Sequence, residues 1–182
     1  MDTALCNAAC NGSAERVQQL INERANINLN YNAKTPLHYA ASNKHVDCLR
    51  ILIDNGGDIN SRSWKDETTV LHRAAEGGSI ECMQLLIDRG ADVHAKAENG
   101  WTAFHFAACG GDTQCIQLLY ELGVDIDAKH NDGKLHMILP GNMDSTMQPS
   151  YRRHLVSLKQ IHPSRMRSWL QHSMVMPINY NT

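Results

Sequence analysis

Residues 66–96 read DETTVLHRAAEGGSIECMQLLIDRGADVHAK, and residues 98–129 read ENGWTAFHFAACGGDTQCIQLLYELGVDIDAK. The two lines say the same thing, with His72 and His105 heading matching halves 33 residues apart. Counting back 34 residues from His72 reaches His38, inside AKTPLHYAASNKHVDCLRILIDNGGDIN at 33–60. Self-similarity at this period marks an array of stacked units, each covering its neighbour, in place of one globular core.

The repeated letters carry physical jobs. Thr35, Thr69 and Thr102 stand where a hydroxyl can accept orphan N–H groups of a first helical turn. Pro36 follows as a first-turn proline, and Val70 and Ala103 replace it in the next copies. The pairs Ala40-Ala41, Ala74-Ala75 and Ala107-Ala108 are small enough for a short helix to press its backbone on its neighbour. A second helix is read in each copy from an apolar stripe such as Ile80, Met83, Leu85-Leu86 and Ile87, or Cys115-Ile116 with Leu118-Leu119. Gly56, Gly90 and Gly123 follow these helices where the chain commonly needs positive φ. Polar segments such as Ala97-Glu98-Asn99-Gly100 separate the copies, and Asn-Gly signals a tight, hairpin-like finger.

The pattern T-P-L-H-x-A-A followed by L-L-x-x-G-A-D-x-N resembles the ankyrin repeat. The resemblance implies an all-α solenoid of about four repeats, each a helix-turn-helix plus a finger. Residues 1–28 form a worn N-terminal copy, with Cys6 for the histidine and Arg24 for the glycine. Terminal repeats depart from the pattern because one face meets water, so this copy is expected to cap the stack. Repeats follow at 29–61, 62–96 and 97–129, a fifth breaks off over 130–140, and 141–182 lacks the pattern. The finger around Asn30 to Ala33 is one residue short and that around Arg62 to Glu67 one long, so both should be irregular.

Charge divides the chain. Residues 1–140 hold 18 acidic and 12 basic side chains, whereas 141–182 hold 1 and 5. The net charge of -2 gives no general attraction to nucleic acid. No basic-plus-apolar leader or apolar run of roughly 20 residues is present, so membrane insertion is not expected and a cytoplasmic or nuclear location is. Cys48, Cys82 and Cys115 share one repeat position at the head of the second helix, which makes them core thiols. Copies of one position lie about a repeat apart, beyond the roughly 7 Å Cα limit of a disulfide.

No nucleophile elbow, phosphate loop or zinc-protease pattern appears, so a non-enzyme without cofactor or metal is expected. His105 and Cys109 lie one turn apart, but two ligands are short of the four a structural zinc takes. In the ankyrin family the histidine series bonds between repeats, which is the role implied for His38, His72 and His105.

Positions that vary between copies, on finger tips and the exposed edge of each first helix, are the candidate contacts of a protein-binding module using its concave face. These are Tyr31, Asn32, Lys34, Ser42, Asn43, Lys65, Asp66, Arg73, Glu76, Glu98, Asn99, Trp101 and Phe106. Trp101 is the expected anchor, an aromatic on a finger with little to pack against, or else packed on Trp64 or a neighbouring finger. The resemblance also marks the position shared by Asn28, Asn60, His94 and Asp127 as a substrate of an asparaginyl hydroxylase, with Asn60 the candidate and a bond to its own turn the plainer role.

The tail carries a second resemblance. Ser157-Leu158-Lys159-Gln160-Ile161, then Met166-Arg167 and Leu170, resembles the start of a SOCS box. That implies an alternative function as the substrate receptor of a cullin-type ubiquitin ligase, with Leu158, Ile161 and Met166 facing elongin. His162 and Pro163 depart from the motif's Cys-Arg, and Pro163 disfavours a continuous helix.

Overall fold

A computed structural model describes residues 2–98 and 100–125 of this protein. They form eight helices and no strand in four antiparallel pairs: α1 (Asp2–Asn11) with α2 (Ala14–Asn22), α3 (Pro36–Ser42) with α4 (Val46–Asp54), α5 (Val70–Gly77) with α6 (Ile80–Asp88), and α7 (Ala103–Gly110) with α8 (Thr113–Glu121). The all-α repeat array expected from the sequence is the architecture found.

From the second repeat onward, each first helix starts just after its threonine. Thr35, Thr69 and Thr102 hold extended N-cap geometry, and the histidine three residues on takes the place of the usual glutamate in a capping box. Each second helix is amphipathic and buries one stripe: Cys48, Leu49 and Leu52 on α4, Cys82, Met83 and Leu86 on α6, Cys115, Ile116 and Leu119 on α8. Burial pushes the three thiols up, Cys115 to about 12, as core cysteines require.

The first helices make the most extensive contacts along the stack. Ala40, Ala41, Ala74, Ala75 and Ala107 are fully buried, so neighbouring backbones meet with only methyl groups between them. At Gly77 not even a methyl fits: a Cβ there would lie 2.7 Å from the Ser42 carbonyl oxygen. Gly110 meets the Glu76 carbonyl in the same way. The alanine pairs announced this closeness in the sequence; the two glycines deepen it.

The exit from each second helix is left-handed in every repeat. Gly56, Gly90 and Gly123 have φ of 93°, 89° and 72°, and Arg24, where the glycine is missing, adopts 65° all the same. That conformation costs a non-glycine residue about 1 kcal/mol, which the cap repeat carries.

The short finger closes as a two-residue turn. Tyr31 and Lys34 exchange both main-chain hydrogen bonds at 2.8 and 3.1 Å, and Asn32 and Ala33 between them have φ of 47° and 69°. Two consecutive positive φ values make this a type I′ turn. The long finger also departs from regularity, with Glu67 at φ 52°. The fifth copy and residues 141–182, including Leu158, Ile161 and Met166, lie outside the described residues. Among the described residues no helix is long and apolar enough to cross a membrane.

A candidate protein-docking face

The fingers and the outer edges of the first helices form one face, and its rigidity begins with buried histidines. His38 Nδ1 accepts from the Thr35 main-chain N–H at 3.2 Å and meets the Thr35 hydroxyl at 2.8 Å. A nitrogen that accepts an N–H carries no proton, so the ring proton sits on Nε2. That nitrogen then donates to the Thr68 carbonyl of the next repeat at 3.1 Å. His72 repeats the arrangement, with Thr69 at 3.0 and 2.8 Å and the Trp101 carbonyl at 3.2 Å.

Burial pushes both rings down to about 4, against partial support from the carbonyls they face, so both are neutral in the fold. Among the described residues no group of three His, Cys, Asp or Glu is disposed to hold a metal.

Asparagines make a second ladder at the base of the fingers. Asn28 donates to the Gly56 carbonyl at 3.2 Å and accepts from Asp58 N–H at 2.9 Å. Asn60 does the same with Gly90 and Asp92, at 3.3 and 2.9 Å. The expectation that the Asn60 side chain bonds its own turn is therefore corrected. It is the Asp58 carboxylate that caps that turn, taking the Asn60 N–H at 3.1 Å, which leaves the amide free to reach the next repeat.

On this frame the variable side chains assemble at α5. Arg73 pairs with Asp66 from the long finger and, at 2.8 Å, with Glu76 one turn on. The arginine side chain is only 12% exposed, whereas its two carboxylates are 42% and 47% exposed. Burial pushes the Asp66 carboxyl up, but bonds from Thr68 and Ser63 and the Arg73 charge outweigh it and hold it at about 2. The Glu98 N–H donates to the Asp66 carbonyl at 3.0 Å and joins the third finger to the second.

Lys34 lies 5.9 Å from the centre of the Tyr39 ring, and burial, then the Arg73 charge, lowers its pKa. Asn43 donates to the Tyr39 carbonyl at 2.9 Å. Asn32, Asn43, Lys65, Glu76 and Glu98 are exposed; Tyr31, Lys34, Ser42, Asp66, Arg73, Trp101 and Phe106 are half-buried. Asn99 lies outside the described residues.

Two aromatics do not sit where the sequence put them. The Trp101 ring is stacked on His105 at 5.8 Å and meets Phe106 edge-on at 5.7 Å, so it is part of the packing and not an unsupported anchor. Phe106 in turn abuts the His72 ring at 5.0 Å. Trp64, by contrast, is 72% exposed at the long finger. The reason is position: Trp101 directly precedes the capping Thr102, as Thr68 precedes Thr69, and that place turns inward toward the previous histidine.

Tyr39 was missed as well. It follows His38 as Arg73 follows His72 and Phe106 follows His105, so the repeat alignment already marked it; its hydroxyl donates to the Tyr31 carbonyl at 3.0 Å.

A family model described as ankyrin repeats in three copies matches residues 1–63 and 63–130. Among curated proteins, alpha-latrocrustotoxin-Lt1a of Latrodectus tredecimguttatus is 41% identical over 64 residues, 34% of this chain. That stretch is 4% of the relative's length, so the chain corresponds to a small piece of it. With the capped helix pairs, the histidine ladder and a family match across most of the sequence, the chain belongs to the ankyrin repeat family.

Proposed function

We propose that this array is a binding module for another protein and performs no chemistry of its own. One observation carries the reading: positions that hold the stack repeat, while positions on the open edge do not. Tyr39, Arg73 and Phe106 occupy one such place, and Ser42, Glu76 and Cys109 another, with nothing in the stacking geometry to demand a change from copy to copy. A face held by two inter-repeat ladders loses little conformational entropy on binding, which favours affinity.

The test is affinity purification with mass spectrometry, comparing the full chain with Glu76→Lys and Tyr39→Ala. Partners lost from both variants support the face, and an unchanged partner list overturns it. Trp101→Ala is the poorer probe, since the ring packs on His105 and its loss would disturb the repeat.

The ubiquitin-ligase alternative rests on Ser157 to Ile161 and the residues after it. Elongin recovered with the full chain and lost from Leu158→Ala would establish it; its absence from the wild-type recovery would remove it. Hydroxylation of Asn60 is read by intact mass after co-expression with the hydroxylase, as a gain of one oxygen. The Asn60 amide already spans two repeats, so the modification would act on stability more directly than on contact.

A further inference from the structure

The long finger is held more firmly than a connecting loop needs to be. Ser63 N–H donates to the Thr68 carbonyl and Glu67 N–H to the Ser63 carbonyl, both at 2.9 Å. The Asp66 carboxylate accepts from the Thr68 N–H at 3.2 Å and from its hydroxyl at 2.7 Å. Arg62 donates to the Glu67 carbonyl at 3.1 Å and to the Lys96 carbonyl at 2.8 Å, tying this finger to the next. Within this frame Trp64 stays 72% exposed; the other large apolar side chain standing clear of the described array is Leu122, at 38%.

An indole buried in the fold would contribute on the order of 2 kcal/mol or more. The chain forgoes that term while spending hydrogen bonds to fix the loop that presents it, which is the arrangement of an anchor awaiting a partner.

Charge decides what the partner carries. In each ion pair at this finger the carboxylate is the more exposed member: Asp66 at 42% and Glu76 at 47% over Arg73 at 12%, and Glu67 at 61% over Arg62 at 44%. A ligand therefore meets carboxylates with their cations beneath, beside an aromatic face whose quadrupole favours a cation. Lys65 is the contrary charge, exposed and with no ion pair among the described residues. The acidic excess of residues 1–140 adds to the same field, which steers a cationic segment inward.

We infer that the Trp64 finger docks a basic protein segment, with an arginine or lysine side chain laid over the indole and its charge directed to the carboxylates of Asp66, Glu67 and Glu76. The inference rests on the protein-binding reading above and adds where contact centres and what chemistry it recognises.

A random peptide library selected on the full chain tests it, with the enriched peptides then synthesised and titrated by fluorescence anisotropy. Enriched sequences should carry Arg or Lys beside an apolar residue and bind more weakly as salt is raised. Trp64→Ala should weaken them at least about tenfold, and Lys65→Glu should tighten them by removing the opposing charge. Both positions are exposed, so circular dichroism and melting should match wild type. Enriched peptides that are acidic or neutral, or that bind Trp64→Ala as well as wild type, overturn the inference; if Glu76→Lys still weakens them, the docking face itself stands. Failure to enrich any peptide overturns both.

Discussion

The Nε2 nitrogen of His72 lies 3.2 Å from the carbonyl oxygen of Trp101, a residue of the following repeat. The same ring fixes the Thr69 cap through Nδ1, so one side chain joins a helix start in one repeat to the finger of the next. Replacing it with alanine strands the buried Thr69 N–H, leaves the Trp101 carbonyl to its bond from the Ala97 N–H, and opens a gap beside Phe106. His72→Ala should cost about 2–4 kcal/mol, read as a lower urea midpoint.

Acid should loosen the array. The unfolded histidine titrates near its ordinary value of 6.5, while His38 and His72 are held at about 4 in the fold. As pH falls below 6.5 the unfolded chain binds protons first, so stability present at neutral pH is lost progressively toward 4. Each ring contributes at most about 3 kcal/mol to that loss. Asp66, shifted from 3.8 to about 2, adds its own loss only below that window. Urea melts between neutral pH and roughly pH 5 should show the slope, and His72→Ala should reduce it; a flat profile would contradict neutral, buried rings.

Arg24 offers the opposite sign. Its φ of 65° is the one its glycine counterparts adopt freely. The side chain is exposed, so Arg24→Gly should raise stability by roughly 0.5–1 kcal/mol, after the entropy glycine costs the folded chain. Thermal melting of the pair checks it.

The fold was legible because stacking imposes the same demand in every copy. Thr35, Thr69 and Thr102 must cap, and His38, His72 and His105 must sit three residues on, so the pattern repeats aloud. The face was less legible because contact positions are free to differ. Trp64 and Trp101 both read as finger tryptophans. Which one projects depends on distance from the capping threonine, and the extra residue in the long finger sets Trp64 five residues before Thr69, while Trp101 directly precedes Thr102. Of the ion pairs at Arg73, the one with Glu76 follows from i,i+3 spacing on α5, whereas the one with Asp66 was beyond reach, since that carboxylate approaches from a loop whose placement against the helix no spacing rule gives.

The closest approach in the stack supplies the last prediction. An exposed Gly→Ala change in a helix ordinarily gains up to about 1 kcal/mol. At Gly77 the added methyl would lie 2.7 Å from the Ser42 carbonyl, and at Gly110 it would press on that of Glu76. Those atoms are backbone and cannot swing aside, so α3, α5 and α7 would have to separate, and with them the alanine pairs and both ladders. Gly77→Ala and Gly110→Ala should each lose about 1–3 kcal/mol. Asn43 holds the equivalent place one repeat earlier and keeps its side chain exposed, so a side chain is accommodated at this place there. Asn43→Ala should therefore lose only its exposed bonds to the Tyr39 carbonyl and, at 3.6 Å, to Cys10 Sγ, about 0.5–1 kcal/mol. Chemical denaturation of the three variants orders them: a Gly110→Ala chain as stable as Asn43→Ala would show that the first helices do not meet backbone to backbone.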